Sequence, residues 1–464
     1  MTSVLWYRRD LRLHDLPALA GAIEEGPVAP LFVFDDRLLH GRWPSPNRAA
    51  FLIESLNALD SALQAHGNRL HIRHGDPARE VPAFAQECKA KHVFVSRDYS
   101  PYARARDRAV GSALGTAGIQ FHPRRGTLVH EPEDVRTGEG QPFSVFSPFF
   151  RRWQTIERRP PLPSPADIPA VGNLATGAIP SLDSLQPGNV SPQILPAGEA
   201  SAQERLRRWA ESGVASYTDE RDDLAAEGTS RLSQDLKWGL LSPVQILAAV
   251  DRATSDSAKF VSEVAWREFY YHVLWHNPRV LREPFQRQFA SLEWDEPGER
   301  LEAWKQGHTG YPVIDAAMRQ LLATGYMHNR ARMIVASFLT KDLHLDWRLG
   351  EAHFMEHLVD GDVANNNGGW QWAASTGTDP QPYFRIFNPW LQSRRYDPDG
   401  AYIRRWVPEL AEVPGRFIHE PSTMSPMEQT AASCVIGRDY PAPIVDHATE
   451  RDVALRRYSE ARSV

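Results

Sequence analysis

The sequence predicts an α/β domain, a Rossmann-like parallel sheet with helices on both faces, joined by a long proline-rich linker to a larger all-α domain. Three observations predict it. Short runs rich in Val, Ile and Phe alternate with helical stretches through residues 1–130. Prolines crowd residues 158–200. From about residue 201 the strand signal stops and apolar residues recur with helical spacing.

The expected strands are SVLWYR (3–8), VAPLFVFD (28–35), RLHIRHG (69–75), KHVFVSRD (91–98) and IQFHP (119–123), with helices over 47–66, 78–90 and 102–117. Apolar strands separated by helices pair in parallel and are covered on both faces. No G-x-G-x-x-G follows the first strand, so the dinucleotide fingerprint is absent. A ligand in this half is sought beyond the carboxyl ends of the strands, at Asp35 or Asp98. Residues 131–200 are assigned to the linker, extended where proline excludes regular structure. Residues 201–464 form the helical domain, with VIDAAMRQLLATGY (313–326) and RARMIVASFLTKDL (330–343) as its clearest helices; 407–464 read as polar and partly irregular.

With 464 residues, 42% of them hydrophobic and 24% charged, the chain has the balance of a soluble protein with a sizeable core. Its two cysteines, Cys88 and Cys434, exclude a disulfide framework or a cysteine metal cage and fit a reducing cytosol. The charged start, MTSVLWYRRD, is not a signal peptide, and no stretch approaches the ~20 apolar residues of a membrane span, so a cytoplasmic protein without membrane contact is expected. Net charge is −6, which argues against whole-surface attraction to nucleic acid and confines any such docking to a local arginine patch. Arginine supplies all but six of the 52 basic residues, a bias that codon usage alone also explains, and there are 14 tryptophans.

Four segments carry candidate chemistry. GTSRLSQDLKWG (228–239) sets Thr229, Ser230 and Ser233 before a helix, as caps or as a phosphate cradle. VSEVAWREFYYHVLWHNP (261–278) puts Glu263, Trp266 and Tyr270 on one helix face, either buried aromatics with a surface acid or a base-stacking wall. MHNRARM (327–333) offers Asn329, Arg330 and Met333. LVDGDVANNNGGWQWAASTGTDPQPYFRIFNP (358–389) is the densest: Asp360, Asp362, Asn366, the pair Gly368–Gly369 and two tryptophans favour a ligand site over packing alone. His353 and His357 form an H-x-x-x-H pair without the acid of H-E-x-x-H, so no metal site is expected. Cys88 has no partner motif and no G-x-S-x-G occurs.

These residues, with WYRRDLRLHD, EGTSRLS, WREFYYH, TGYPVIDAAMRQL and DYPAPIVDH (439–447), resemble the photolyase/cryptochrome family over essentially the whole chain, and within it the bacterial class I cyclobutane pyrimidine dimer photolyases. The resemblance implies a FAD inside the helical domain. Carried over by position, its site is Tyr217, Thr229, Ser230, Arg231, Leu232, Ser233, Arg267, Asn329, Asp360, Gly361, Asp362 and Asn366. Asn366 faces the reactive ring nitrogen, where an uncharged amide suits an anionic reduced flavin and favours repair over signalling. The implied lesion pocket is Glu263, Trp266, Tyr270, Asn329, Arg330, Met333 and Trp372, with Arg221, Arg330 and Gln392 on the DNA backbone. Glu263, Asn366, Trp266 and Met333 are the residues closest to the chemistry, with Glu263 bonding the pyrimidine edge and, if buried, donating a proton or hydrogen bond. Trp370, Trp347 and Trp294 match the chain that re-reduces the flavin; buried core aromatics would look the same.

The implied activity is light-driven splitting of cyclobutane dimers in UV-damaged DNA by an electron lent from excited reduced FAD and then returned, with the dimer flipped out of the duplex. Asn329 and Met333 stand where six-four photolyases carry a histidine pair, which points to cyclobutane dimers. Tyr102–Ala103 stands where folate-binding members carry Asn-Glu, so the antenna expected at Arg48, Asp98 and Lys237 is a hydroxy-deazaflavin, ahead of FMN or methenyltetrahydrofolate. A cryptochrome-like blue-light photoreceptor is the alternative on the same fold. A monomer without an obligate protein partner is expected.

Overall fold

The computed structural model describes residues 1–172, 174–253, 257–380 and 382–463. Five strands, β1 (Ser3–Tyr7), β2 (Val28–Phe34), β3 (His71–His74), β4 (His92–Ser96) and β5 (Gln120–Arg124), form one parallel sheet in the order β3-β2-β1-β4-β5. Each strand falls within a residue of the run that predicts it, apart from β3, whose first two expected residues precede His71, and β4, which ends at Ser96, two residues short of its run. Central β1 is buried along its whole length, as a strand covered on both faces must be.

Three of the crossover helices begin alike. Ser45, Asp76 and Ser100 accept hydrogen bonds from the backbone of the first turn, and Pro46, Pro77 and Pro101 take the first helical position. A side-chain cap followed by proline satisfies one orphan N–H and removes another, so these starts are written in the sequence. The Pro17–Glu24 helix was not expected; with no side-chain cap and only eight residues, its signal is an apolar segment after a proline.

The strand order reverses beside β1, whose neighbours are β2 and β4. Arg9 and Asp98 lie just past the carboxyl ends of β1 and β4, at this switch point, where open α/β sheets place ligands. One hydrophobic cluster runs from the sheet (Leu5, Phe94) through Phe51 to Trp238, Phe260 and Val264, so the sheet and the helices share a core. A second cluster, around Trp304, Met318, Trp347 and Trp370, lies within the helical part.

The segment read as linker is partly regular. It contains the Phe146–Thr155 helix, and its chain hydrogen-bonds to the sheet through Val28 N to Pro169 O (2.7 Å) and Ile72 N to Thr176 O (2.6 Å). The polar C-terminal stretch ends in a helix, His447–Ser463, anchored by buried Tyr458, whose hydroxyl donates to Ala374 O at 2.7 Å. That helix shows a weak apolar stripe in sequence because a few contacts, not a whole face, hold it.

Candidate active site

A cavity of about 510 Å³ opens among the helices. That is within the ~300–1,000 Å³ range of small-molecule sites. The Ala258–His276 helix contributes Glu263, Trp266, Arg267 and Tyr270 to its wall, and the Asn329–Lys341 helix contributes Asn329 and Met333. The Val363–Ala373 helix and the turn before it add Asp360, Gly361, Asp362, Asn366, Trp370 and Trp372. Thr229, Ser230, Arg231, Leu232 and Ser233 also line it, as do Tyr217 and Arg221. Four segments up to about 150 residues apart in sequence thus meet in one space. Arg330 and Gln392 stand outside this lining, as do Trp347, Trp294, Arg48 and Asp98.

Asp362, 7% exposed, caps the Val363–Ala373 helix by accepting from Ala364 N (3.1 Å) and Asn365 N (3.0 Å). Its other oxygen accepts from Tyr271 Oη (2.6 Å) and Arg9 Nη2 (2.7 Å). Burial pushes this carboxyl upward, but Arg9 and Lys237 outweigh it and hold it well below the usual carboxylate range. Asp360 pairs with Arg332 Nη2 at 2.8 Å through one oxygen; its other oxygen is buried without a partner among the described residues. Arg231 Nε and Arg267 Nη2 are likewise buried and unpartnered. Arg231 takes a left-handed backbone conformation (φ 52°) and lays its guanidinium 3.9 Å from the Tyr326 ring centroid. A non-glycine residue held there is strained by roughly 1 kcal/mol.

The hydroxyls at 229–233 do not cap the next helix, contrary to one of their two readings. That helix, Ser233–Trp238, has Leu232 at its N-cap and no side-chain cap. Asn366 donates its amide Nδ2 to Glu351 O at 2.9 Å, which turns its carbonyl oxygen into its remaining acceptor. Gly368 permits close packing, since a Cβ there would lie 2.0 Å from the Tyr270 ring. At Gly369 a Cβ would meet no atom within 4 Å; this residue lines the cavity, so glycine leaves room there.

Trp266 stacks on Phe146 at 3.8 Å and 11°, so one indole face is covered and the other is free to line the cavity. Sequence reasoning missed Phe146, whose only signal is the aromatic cluster FSPFFRRW in a segment assigned to the linker. Glu263 is 29% exposed and paired with Arg221 (2.7 Å) and Lys259 (3.4 Å), so the burial on which its expected proton donation depends is not seen. Arg330 bonds Asp222 at 2.7 Å and covers the Tyr396 ring. His328 caps its helix by accepting from Arg330 N (3.1 Å), and burial holds its ring down to about 4, so it is a neutral acceptor.

Trp370 is 2% exposed, lines the cavity, and has an unpartnered indole nitrogen. Trp347 shares its cluster, with half-buried Trp294 packed against the same residues. Trp304, which the sequence did not single out, meets Trp370 at 6.0 Å between ring centroids. The three antenna candidates divide. Lys237 lines the cavity itself, its ammonium pushed down to about 7 by burial and the Arg9 charge. Asp98 lies 3.5 Å from Arg9 and 3.9 Å from Arg106. Arg48 donates to the carbonyls of Met355, Leu358 and Trp43.

Models of two families match the chain: "DNA photolyase" over residues 3–166 and "FAD binding domain of DNA photolyase" over residues 260–460. A deoxyribodipyrimidine photo-lyase of Halobacterium salinarum is 44% identical, over 99% of this chain and 99% of its own. The crystal structure of a class III photolyase from Agrobacterium tumefaciens superposes with a TM-score of 0.94 at 36% identity, covering 100% of this chain and 98% of that one. A cryptochrome of Synechocystis superposes at 0.91 with 31% identity, covering 98% of each. The two-part architecture is that of a photolyase with a FAD-binding domain, and the chain belongs to the DNA photolyase family.

Proposed function

We propose that this chain is a light-driven deoxyribodipyrimidine photo-lyase that holds FAD in the helical cavity and opens cyclobutane pyrimidine dimers in UV-damaged DNA. The observation that carries the reading is the mixed chemistry of the cavity lining. It combines three buried polar atoms without partners among the described residues, on Arg231, Arg267 and Asp360, with the aromatic side chains of Trp266, Tyr270 and Trp372. Buried polar atoms without partners cost about 1–3 kcal/mol each, so a ligand rich in hydrogen-bonding groups suits this cavity.

Thr229 to Ser233 and Arg231 would receive the diphosphate, and Arg267, Asn329, Asp360, Gly361, Asp362, Asn366 and Tyr217 would surround the rest of FAD. When bound and reduced, FAD supplies under blue or near-ultraviolet light the electron that ring opening needs, and recovers it afterwards. Asn366 presents a neutral carbonyl oxygen there. Trp266, backed by Phe146, and Trp372 would hold an extruded base pair by stacking, worth roughly 1–3 kcal/mol per base. Glu263 would accept from the pyrimidine edge while Arg221 fixes its carboxylate, and Met333 fills the gap beside the ring. Arg221, Arg330 and Gln392 would meet the DNA backbone, so affinity should fall with salt as counterion release predicts. Trp370, Trp347 and Trp294 would carry electrons to oxidised flavin. Lys237, Asp98 and Arg48 remain the candidates for an antenna site, with hydroxy-deazaflavin favoured; mass spectrometry of extracted chromophore tests this, and recovered folate would refute it. Among the described residues no helix is long and apolar enough to cross a membrane.

An illumination assay tests the function. Loss of cyclobutane dimers from an irradiated oligonucleotide in light but not in darkness is expected, with six-four lesions left intact. Repair of six-four lesions would overturn the substrate; no repair of either by reduced protein would favour the photoreceptor reading.

A further inference from the structure

His353 and His357 lack the acid of H-E-x-x-H, where Phe354 stands, yet the chain carries an acid two positions further on, at Glu356. All three lie in the last turns of the Trp347–His357 helix, where residues three and four apart are neighbours. The two imidazole rings are 4.6 Å apart between centroids, and His353 Nδ1 is 3.8 Å from Glu356 Oε2. One ligand atom from each of the three falls within 4.8 Å of the others. His353 is only 4% exposed, and its Nε2 has no hydrogen-bond partner among the described residues.

Each imidazole offers one ring-nitrogen lone pair for coordination. The ammonium of Lys305, on the Glu299–Gln306 helix, is engaged by Glu302 Oε1 at 2.9 Å. We propose that His353, Glu356 and His357 form a binding site for a borderline divalent transition cation such as Zn²⁺. Two imidazole nitrogens and one carboxylate oxygen make a set that this class of ion prefers, with a fourth position left to water.

The site is separate from the active-site cavity, whose lining includes none of the three, although Phe354 and Leu358 of the same stretch do line it. His357 O also accepts from Asn47 Nδ2 at 2.6 Å, which ties this turn to the Pro46–Ala65 helix. A bound ion would bridge successive turns at this helix end, and it would stabilise the folded chain by mass action.

The test is calorimetric titration of Zn²⁺ into flavin-loaded, chelator-stripped full-length protein, comparing wild type with H357Q and E356Q. Glu356 is exposed and His357 half-buried, and the metal-free apparent Tm and the flavin spectrum report that the variants fold. One Zn²⁺ per chain at micromolar affinity is expected, weakened about tenfold or more in each variant, with the Zn²⁺-dependent rise in Tm lost. Absence of stoichiometric binding to wild type, or unchanged affinity in either variant, would overturn the site.

Discussion

Two clusters of buried charge meet at Arg9 and differ in what satisfies them. On the sheet side, Asp98 sits between Arg9 and Arg106, and Arg48 is taken up by three backbone carbonyls. On the cavity side, Asp362 is satisfied by Arg9, Tyr271 and its own helix, while neighbouring Asp360, Arg231 and Arg267 each keep one buried atom without a partner. Similar residue types are thus closed upon themselves in one place and left open in the other. The open cluster keeps hydrogen-bonding capacity that a ligand could take up, whereas the closed one spends its capacity within the fold.

The largest effect that bears on this contrast is expected from Asp362→Ala. It removes the helix cap and a carboxylate buried against Arg9, a loss of about 3 kcal/mol or more, and should strip the flavin. Asp98→Ala should destabilise too but leave the flavin in place; flavin content and denaturant unfolding of both variants check this, and equal flavin loss would erase the distinction. Next comes Trp266→Ala, which should weaken binding of irradiated oligonucleotide about tenfold to a hundredfold with flavin content unchanged. Trp294→Phe is subtler: photoreduction of oxidised flavin should slow, while pre-reduced protein repairs at the wild-type rate. Unchanged photoreduction would point to another route, for which Trp304 beside Trp370 is placed.

The smallest effect concerns Glu351, which orients Asn366 through its carbonyl and bonds Asn367 Nδ2 at 2.9 Å through its carboxyl. Burial pushes that carboxyl up to about 7. Raised in the folded state, it contributes stability that is fully present below its ordinary value and lost as pH rises through about 7. Glu351→Gln should therefore flatten the pH dependence in that window and raise the apparent Tm by about 2 °C at pH 8. A lower Tm at that pH would show the carboxylate to be needed.

The sheet and its capped helices were legible because each rests on local chemistry, such as Ser45–Pro46 or the apolar run of β2. The cavity residues were legible as motifs. What could not be read were pairings across distant sequence. Phe146 backs Trp266 from 120 positions away, Arg9 reaches Asp362 across 353, and Arg221 claims Glu263. Each depends on the finished packing, and the last gives Glu263 an ion-pair partner that the sequence did not show. The Pro17–Glu24 helix was missed for the opposite reason, since neither a cap nor length marks it.

The central claim is that the unpartnered groups of the cavity are there for a flavin. Chromatographic quantification of FAD released from the denatured chain tests it most directly, comparing wild type with an Arg231→Ala, Arg267→Met double variant of matched fold. One FAD per wild-type chain and little in the variant is the predicted result. A colourless wild type that takes up no added FAD, or a variant that keeps its full complement, would contradict it.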